Sequence, residues 1–583
     1  MKLSDPQRFA VQMPGNVSLE ACPGSGKTRT LIAKLLRCVD ELGSSTRKVA
    51  CITHTNAAVH EIENRVGEYV DEEGESRVEI GTIHAFCLRN IISPYGWKIP
   101  GLADGFSVAA PQSDVFRGAA NEIAAQFLLD PYSTCDALEH ASRLPDGGVR
   151  VGRPLSPEHA AAFWEKLEQS GYLDFTSIVY HAFRLLSDEP EILRALQSKH
   201  AWMLVDEFQD TSPVQSEILK LIAAGGRTRF FFVGDVRQSI LGFTGADPRL
   251  MGDFQRFVGA SSAPPLADNY RSSEEIIRHA ELLEPRADPM RAKGDNSKFG
   301  VIPQHVQAAS NLSLVTDTFI PALEAHGIEL GKAAVLAPTW FSLYPLASDL
   351  RSLRLPVVGP GARPYRRRHF YASLAEQLGA QAVSPTPDRV RKIERELFFL
   401  ISDLTGEAPQ SLFAFRGRLT IERLVRATFL PIGADEQAIT WLERSVRGAA
   451  RIIREDGWIS VADEGRVVDS VADMIRDIES GRNEATTLRV SDLAFFADPE
   501  NALRLINLHK AKGREFEAVL IIDLHEGVLP HRYSRTQEQI DEARRVLYVG
   551  VTRAKKLLFY GTTPGRARPS PLLGPGGLGL YPP

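Results

Sequence analysis

A chain of 583 residues is too long for one hydrophobic core and implies about three to five domains. Apolar residues make up 43% and charged residues 24%, the proportions of an ordinary globular protein, which excludes a disordered, collagenous or coiled-coil chain. The 68 Lys and Arg against 73 Asp and Glu give a net charge of −5, which excludes a uniformly basic polymer coater but leaves a local basic groove open. No apolar run reaches the roughly 18 residues of a membrane span, and no signal peptide opens the chain, so no membrane and a cytoplasmic location are expected. The five cysteines (Cys22, Cys38, Cys51, Cys87, Cys135) form no C-x-x-C pair. That argues against a disulfide framework or a zinc site and fits a reducing compartment.

In chain order, residues 17–20 read as a strand ending in a glycine loop, 30–42 as a helix with Leu31, Leu35, Val39 and Leu42 on one stripe, 49–53 as a strand and 57–66 as a helix. This β-α-β-α pattern implies a parallel sheet covered on both faces. Residues 89–197 read as mainly helical (115–128, 159–169, 173–186). Strands return at 202–205 and 230–233, so the helical block is an insertion in a first α/β domain. A second α/β domain opens near Leu266, with strands at 333–337 and 356–358. It is interrupted by helices at 372–378, 388–404, 437–454 and 467–478, and resumes with strands at 505–508, 519–523 and 557–561. The Pro/Gly-rich end, 564–583, reads as a loosely ordered tail. The acidic stretch 71–75 reads as a solvated loop. Arg366-Arg367-Arg368-His369, beside Arg363 and Tyr365, reads either as a solvated face or as a grip on duplex phosphates.

Ala21-Cys22-Pro23-Gly24-Ser25-Gly26-Lys27-Thr28 matches the phosphate-loop pattern G-x-x-x-x-G-K-[ST] with Ala at the first glycine, between a strand and a helix as the pattern requires. Small residues let successive backbone N–H groups, and a helix N-terminus, surround phosphate oxygens. Lys27 would reach the β- and γ-phosphates and Thr28 would ligate Mg²⁺. The plain alternative is a glycine turn before a structural helix, against which the register of Lys27-Thr28 speaks. The apolar run Trp202-Met203-Leu204-Val205 leads directly into Asp206-Glu207. Asp206 would hold Mg²⁺ and Glu207 would activate the attacking water, which makes the site an NTPase rather than a nucleotide binder.

Asp206-Glu207-Phe208-Gln209-Asp210-Thr211 also resembles the D-E-x-Q-D box of UvrD/Rep/PcrA-type superfamily-one helicases. Further boxes resemble that family in order: Leu3-Ser4-Asp5-Pro6-Gln7, Thr53-His54-Thr55-Asn56-Ala57-Ala58, Gly81-Thr82-Ile83-His84-Ala85-Phe86, Val233-Gly234-Asp235-Val236-Arg237-Gln238, Asn269-Tyr270-Arg271-Ser272, Leu508-His509-Lys510-Ala511-Lys512-Gly513-Arg514-Glu515 and Leu547-Tyr548-Val549-Gly550-Val551-Thr552-Arg553-Ala554. The resemblance implies two RecA-like P-loop NTPase domains, each interrupted by a mainly helical insertion. The parts are domain 1A (1–88 and 198–265), insertion 1B (89–197), domain 2A (266–362 and 501–583) and insertion 2B (363–500). It implies ATP between the two RecA-like domains, single-stranded DNA and single/double-strand junctions as partners, and 3′→5′ movement.

Carried over by position, Gln7 would read the adenine edge, Arg29 would pack near the base and Tyr270 would stack on it. Glu515 would hold the ribose. Gln238 would contact the γ-phosphate, and Arg271 and Arg553 would act as arginine fingers. Thr55, Asn56, His84, Phe243 and His509 match DNA-contact positions. The family commonly reads S-I-Y-G-W-R-G-A where this chain has Ser239-Ile240-Leu241-Gly242-Phe243-Thr244-Gly245-Ala246, so one stacking ring and one cation are missing. In length and motif content the chain is similar to compact UvrD-like proteins of bacterial antiphage systems, such as the helicase component of Gabija. That likeness implies an alternative role as a DNA-stimulated ATPase subunit governing a separate nuclease, since no nuclease domain is expected after the last box. A non-enzymatic scaffold is a third reading, and the intact Lys27, Asp206, Glu207, Gln238, Arg271 and Arg553 speak against it.

Overall fold

The computed structural model of the protein describes residues 1–580 apart from 112, 243–244, 366–368, 406–408, 431–434, 481–483, 566 and 576. The chain divides into two compact units. One is Met1–Pro303, Leu529–Leu557 and Arg568–Pro583; the other is Gln304–Val528 and Leu558–Ala567.

The first unit is built on a six-stranded parallel sheet of β1 (Val17–Glu20), β2 (Lys48–Thr53), β3 (Val78–Thr82), β4 (His200–Val205), β5 (Arg229–Gly234) and β6 (Ser261–Ser262), in the order β6-β1-β5-β4-β2-β3. Its central strands are continuous apolar runs because both faces are covered. Alternate side chains serve different cores. Trp202 and Leu204 of β4 join Leu31 and Leu35 on one face, and Met203 and Val205 join Ile178 and Phe254 on the other. Between β3 and β4 the helices Asp114–Gln126 and Pro157–Gln169 enclose a separate core around Phe116, Phe163 and Trp164, whereas the helix Phe175–Asp188 packs Ile178, Val179 and Leu186 into the core under the sheet. Short strand pairs, such as Ser107–Val108 with Tyr172–Leu173, lie within this otherwise helical block.

The change of domain expected at residue 266 does not coincide with the division between the units, which falls after Pro303. Long-range hydrogen bonds give the reason. The Cys22 amide donates to the Leu266 carbonyl at 3.0 Å and the Tyr270 amide to the Gly24 carbonyl at 2.9 Å, so this segment is sewn to the phosphate loop. The acidic stretch is not a loop: Asp71 caps a short helix, Glu72–Ser76, by accepting from the Gly74 amide. Nor are the described residues of the tail loose, residues 566, 576 and 581–583 lying outside them. Leu572, Leu573 and Leu578 are buried, and the Ser570 hydroxyl bonds the Leu529 carbonyl.

The second unit carries another six-stranded sheet: β7 (Gln304–Gln307), β8 (Ala333–Ala337), β9 (Val357–Val358), β10 (Leu503–Asn507), β11 (Phe516–Ile521) and β12 (Ala554–Thr562), in the order β7-β12-β11-β8-β10-β9. Between β9 and β10 the helices Ala372–Val383, Pro387–Thr405, Phe415–Thr428, Ala438–Glu455 and Val461–Glu479 pack around Leu397, Trp441, Val446 and Met474. Arg363 and Tyr365 are not a phosphate grip. The Arg363 guanidinium makes a two-pronged bond to Glu376, at 2.6 and 3.0 Å, and the Tyr365 hydroxyl donates to the same carboxylate at 3.0 Å. His369 pairs with Asp477 at 2.8 Å, and Arg366–Arg368 lie outside the described residues. Glu376→Ala would strand a half-buried guanidinium, with an expected loss of about 3–5 kcal/mol. Glu436→Ala, whose partner Arg444 is exposed, is expected to lose less than about 1 kcal/mol. Urea unfolding of the two variants side by side measures the contrast, and equal midpoints would remove the structural role given to Glu376.

Candidate active site

The loops at the carboxyl ends of β1, β4 and β5 meet, where parallel sheets place ligands. After β1 the chain turns through Gly24 (φ +71°) and Gly26 (φ +81°) into the helix Lys27–Leu42. No side chain caps this helix, so its first amides remain for an anion, and the sixteen-residue axis points its positive end there. Glycine is required at both turns. A Cβ on Gly24 would lie 2.7 Å from the Arg271 Cβ and 2.8 Å from the Asn269 Oδ1, and one on Gly26 would lie 2.8 Å from the Gln7 Nε2. Gln7 is buried and braces the loop: its Nε2 donates to the Ser25 carbonyl at 2.8 Å and its Oε1 accepts from the Ser4 amide. The Ser25 hydroxyl donates to the Cys22 carbonyl at 2.7 Å. Ala21 is buried, and burial pushes the Cys22 thiol up to about 12, so it stays protonated.

Lys27 Nζ lies 3.0 Å from Glu207 Oε1. Burial alone would lower the lysine pKa, but Glu207, Asp206 and Asp235 together raise it, so it is a fixed cation. Glu207 adopts left-handed backbone (φ 50°), a conformation costing a non-glycine residue about 1–3 kcal/mol, which turns its carboxylate toward Lys27. Gln209 donates to Glu207 Oε2 at 2.5 Å and accepts from the Asp235 amide at 2.9 Å, tying the two strand ends together. Burial and the neighbouring Glu207 push the Asp206 carboxyl well up, against the pull of Lys27. A buried carboxylate pushed up by its neighbour, and a hydroxyl-bearing residue, Thr28, directly after Lys27 in the chain, offer hard oxygen donors of the kind Mg²⁺ takes.

The structure also brings together residues far apart in sequence. Arg553, buried, donates to Gln238 Oε1 at 3.2 Å, to the Val549 carbonyl and to the Thr552 hydroxyl. Arg271 donates to the Thr552 carbonyl at 3.2 Å. Tyr270 is bound to the phosphate loop through its backbone, while its ring is 42% exposed and presents a face for stacking. Arg29 is exposed. Glu515 lies in the second unit, directly before β11.

Of the expected DNA contacts, Thr55 and Asn56 are exposed where the helix Asn56–Gly67 begins, and Thr55 also caps that helix through the Ala58 amide. His84 packs edge-on against the half-exposed Phe175, ring centres 5.5 Å apart. His509 stands just after β10, with its amide on Asn507. Phe243 lies outside the described residues. Burial and then the nearby His54 lower His84 from its ordinary 6.5 to about 4. A neutral imidazole is therefore favoured by the fold. Its stabilisation is full above about pH 6.5 and is lost as pH falls toward 4, at up to about 1.4 kcal/mol per unit. His84→Phe is expected to flatten that part of the stability–pH curve, measured by chemical unfolding at pH 7, 5.5 and 4.5; an unchanged slope would count against it.

Several residues in each unit escaped the sequence reading. Gln209 sits inside a recognised box, but its bridging role depends on two strands meeting. Phe175 lies in the first insertion, 91 positions from its partner His84. Trp340 and Phe341, exposed directly after β8, offer aromatic faces in the unit that holds His509; an aromatic pair following a buried strand was the available signal. Arg286, buried against Asp235, had no signal at all.

Residues 3–258 match the family described as UvrD/REP helicase N-terminal domain, and residues 467–563 match the UvrD-like helicase C-terminal domain. The chain is 26% identical to the ATP-dependent DNA helicase Rep of Salmonella typhimurium, over 96% of this chain and 90% of that protein. It is 25% identical to the ATP-dependent DNA helicase PcrA of Leuconostoc citreum, over 96% and 81%. It is 24% identical to PcrA of Staphylococcus aureus, over 94% and 81%. Among the described residues no helix is long and apolar enough to cross a membrane.

Proposed function

Because the chain belongs to the UvrD/Rep-like helicases, an α/β family of ATP-hydrolysing enzymes, we propose that it couples Mg²⁺-dependent ATP hydrolysis to 3′→5′ movement on single-stranded DNA and opens duplex at single/double-strand junctions. The observation that carries this reading is the 3.0 Å pairing of Lys27 with Glu207 beside an uncapped phosphate loop, with Gln238 and Arg553 already hydrogen-bonded to each other. The amides of Gly24, Gly26, Lys27 and Thr28, with the Lys27 ammonium, bind the phosphates, while those of Ala21, Cys22 and Ser25 hold the loop in shape. Tyr270 stacks on the adenine, with Gln7 and Arg29 near its edge, and Glu515 takes the ribose. Thr28 and Asp206 hold Mg²⁺, which when bound neutralises charge on the phosphates. Glu207 orients water in line with the γ-phosphate and accepts its proton. Gln238, Arg271 and Arg553 stabilise the charge that spreads over the transferred group. Thr55, Asn56, His84, Phe243 and His509 line the single strand. The stacking faces matter because each stacked base contributes about 1–3 kcal/mol. The direction of movement rests on family likeness alone.

A second reading, an ATPase subunit governing a separate nuclease, draws on Leu241 and Thr244 standing where the family commonly has a ring and a cation. One experiment separates the two: ATP hydrolysis with and without single-stranded DNA, alongside strand separation on 3′-tailed and 5′-tailed duplexes. Stimulated hydrolysis with opening only from the 3′ tail supports the helicase. Stimulation without strand separation supports the second reading, and DNA-independent hydrolysis would overturn both.

A further inference from the structure

Arg286 follows the helix Glu274–Leu283 and belongs to none of the recognised boxes, yet its side chain is only 5% exposed. One guanidinium nitrogen, Nη2, reaches two acceptors from distant parts of the first unit: Asp235 Oδ2 at 2.7 Å and the Tyr548 hydroxyl at 2.5 Å. Nη1 lies 3.6 Å from Glu20 Oε1, and Nε, 3.8 Å from Glu281 Oε1, makes no hydrogen bond. Asp235 is completely buried. Its Oδ2 also accepts from Gln238 Nε2 at 2.8 Å, and its Oδ1 accepts from the Arg237 amide. The Arg237 side chain turns away, to Glu20 and the Pro285 carbonyl. Among the described residues Arg286 is therefore the side-chain cation hydrogen-bonded to this carboxylate.

The Gln238 amide has two ends, and its orientation follows from its partners. A carboxylate that only accepts must face the NH₂ end, which leaves the carbonyl oxygen for Arg553. Without Arg286 the buried Asp235 carboxylate loses its guanidinium partner and is no longer held where it meets the Gln238 NH₂, so the amide is free to turn its NH₂ toward the Arg553 guanidinium, donor against donor. Tyr548 and Arg553 lie on the helix Gln537–Val551 and just beyond it, and Arg545 of the same helix donates to the Ser239 carbonyl at 2.8 Å. We propose that Arg286 is a positioning residue: through Asp235 it fixes the Gln238 amide with its oxygen toward Arg553, and through Tyr548 it holds the Arg553-bearing helix against the same strand end.

This rests on the reading of Gln238 and Arg553 as γ-phosphate contacts. The test uses the full-length protein with Arg286→Met, Arg286→Lys, Gln238→Ala and the double variant Arg286→Met/Gln238→Ala, measuring kcat and KM for DNA-stimulated ATP hydrolysis and the thermal midpoint. Arg286→Met is expected to lose about tenfold or more in kcat with KM changed less than about threefold, because Lys27 and the phosphate loop are untouched. Arg286→Lys keeps the charge and loses the fork, so a loss of about three- to tenfold in kcat is expected. In the Gln238→Ala background, Arg286→Met is expected to add clearly less than its own full loss, the remainder being what Tyr548 passes to the Arg553-bearing helix. Wild-type kcat in Arg286→Met, KM and kcat falling together with the midpoint, or multiplied losses in the double variant would each overturn the proposal. Should Arg286→Met not fold, Arg286→Lys decides: wild-type kcat overturns, and a selective kcat loss supports. Full activity in Gln238→Ala would instead refute the underlying reading of the site.

Discussion

Glu207→Gln is expected to lower ATP turnover by at least about 100-fold while nucleotide binding persists. The substitution keeps shape and removes only the base and its charge. It leaves Lys27, 3.0 Å away, without its closest carboxylate, which favours rather than opposes an incoming phosphate. It also relieves Asp206 of the neighbouring charge that, after burial, pushes its carboxyl up, so a divalent cation should be held at least as well. Single-turnover hydrolysis beside a fluorescent-nucleotide titration measures both quantities. Normal turnover would remove Glu207 from its assigned role, and lost binding would make it a structural residue instead. Lys27→Ala is the counterpart, expected to lose binding and turnover together.

Arg553→Ala is expected to cost about 1,000-fold or more in kcat, the scale of a cation supplied to a transferring phosphoryl group, with a much smaller change in KM. Arg553 is buried and donates to Gln238, so truncation also leaves the Gln238 oxygen without that donor. Arg553→Lys should not rescue fully, because a compact ammonium lacks the planar fork with which the guanidinium spans Gln238 and the Val549 carbonyl. Steady-state rates with saturating DNA, paired with thermal midpoints, separate loss of chemistry from loss of fold. A variant that folds and turns over within about tenfold of the parent would exclude the finger role.

The parts of this protein that were legible in sequence are those decided locally. Trp202-Met203-Leu204-Val205 could only be a strand covered on both faces, and the phosphate loop carries its backbone chemistry in eight consecutive residues. What was not legible is decided by partners far away. That the first compact unit runs on to Pro303 reflects hydrogen bonds such as those from Cys22 to Leu266 and from Tyr270 to Gly24, which leave no trace in local composition. The proline and glycine content of the last stretch concealed three buried leucines. Arg363 looked like part of a basic run until Glu376 was found beneath it. Arg286 illustrates the same limit at the site itself, since nothing in its neighbours announces Asp235 or Tyr548.

The first unit is discontinuous in sequence, and this has a consequence for its birth on the ribosome. Met1–Pro303 is synthesised first, but Leu529–Leu557, which supplies Tyr548 and Arg553, emerges only after the 225 residues of Gln304–Val528. At about 5–20 residues per second, roughly 10–45 s pass between the two. During that interval a nascent chain already owns its phosphate loop, Glu207 and Gln238 but not Arg553, so it can capture nucleotide before it can spend it.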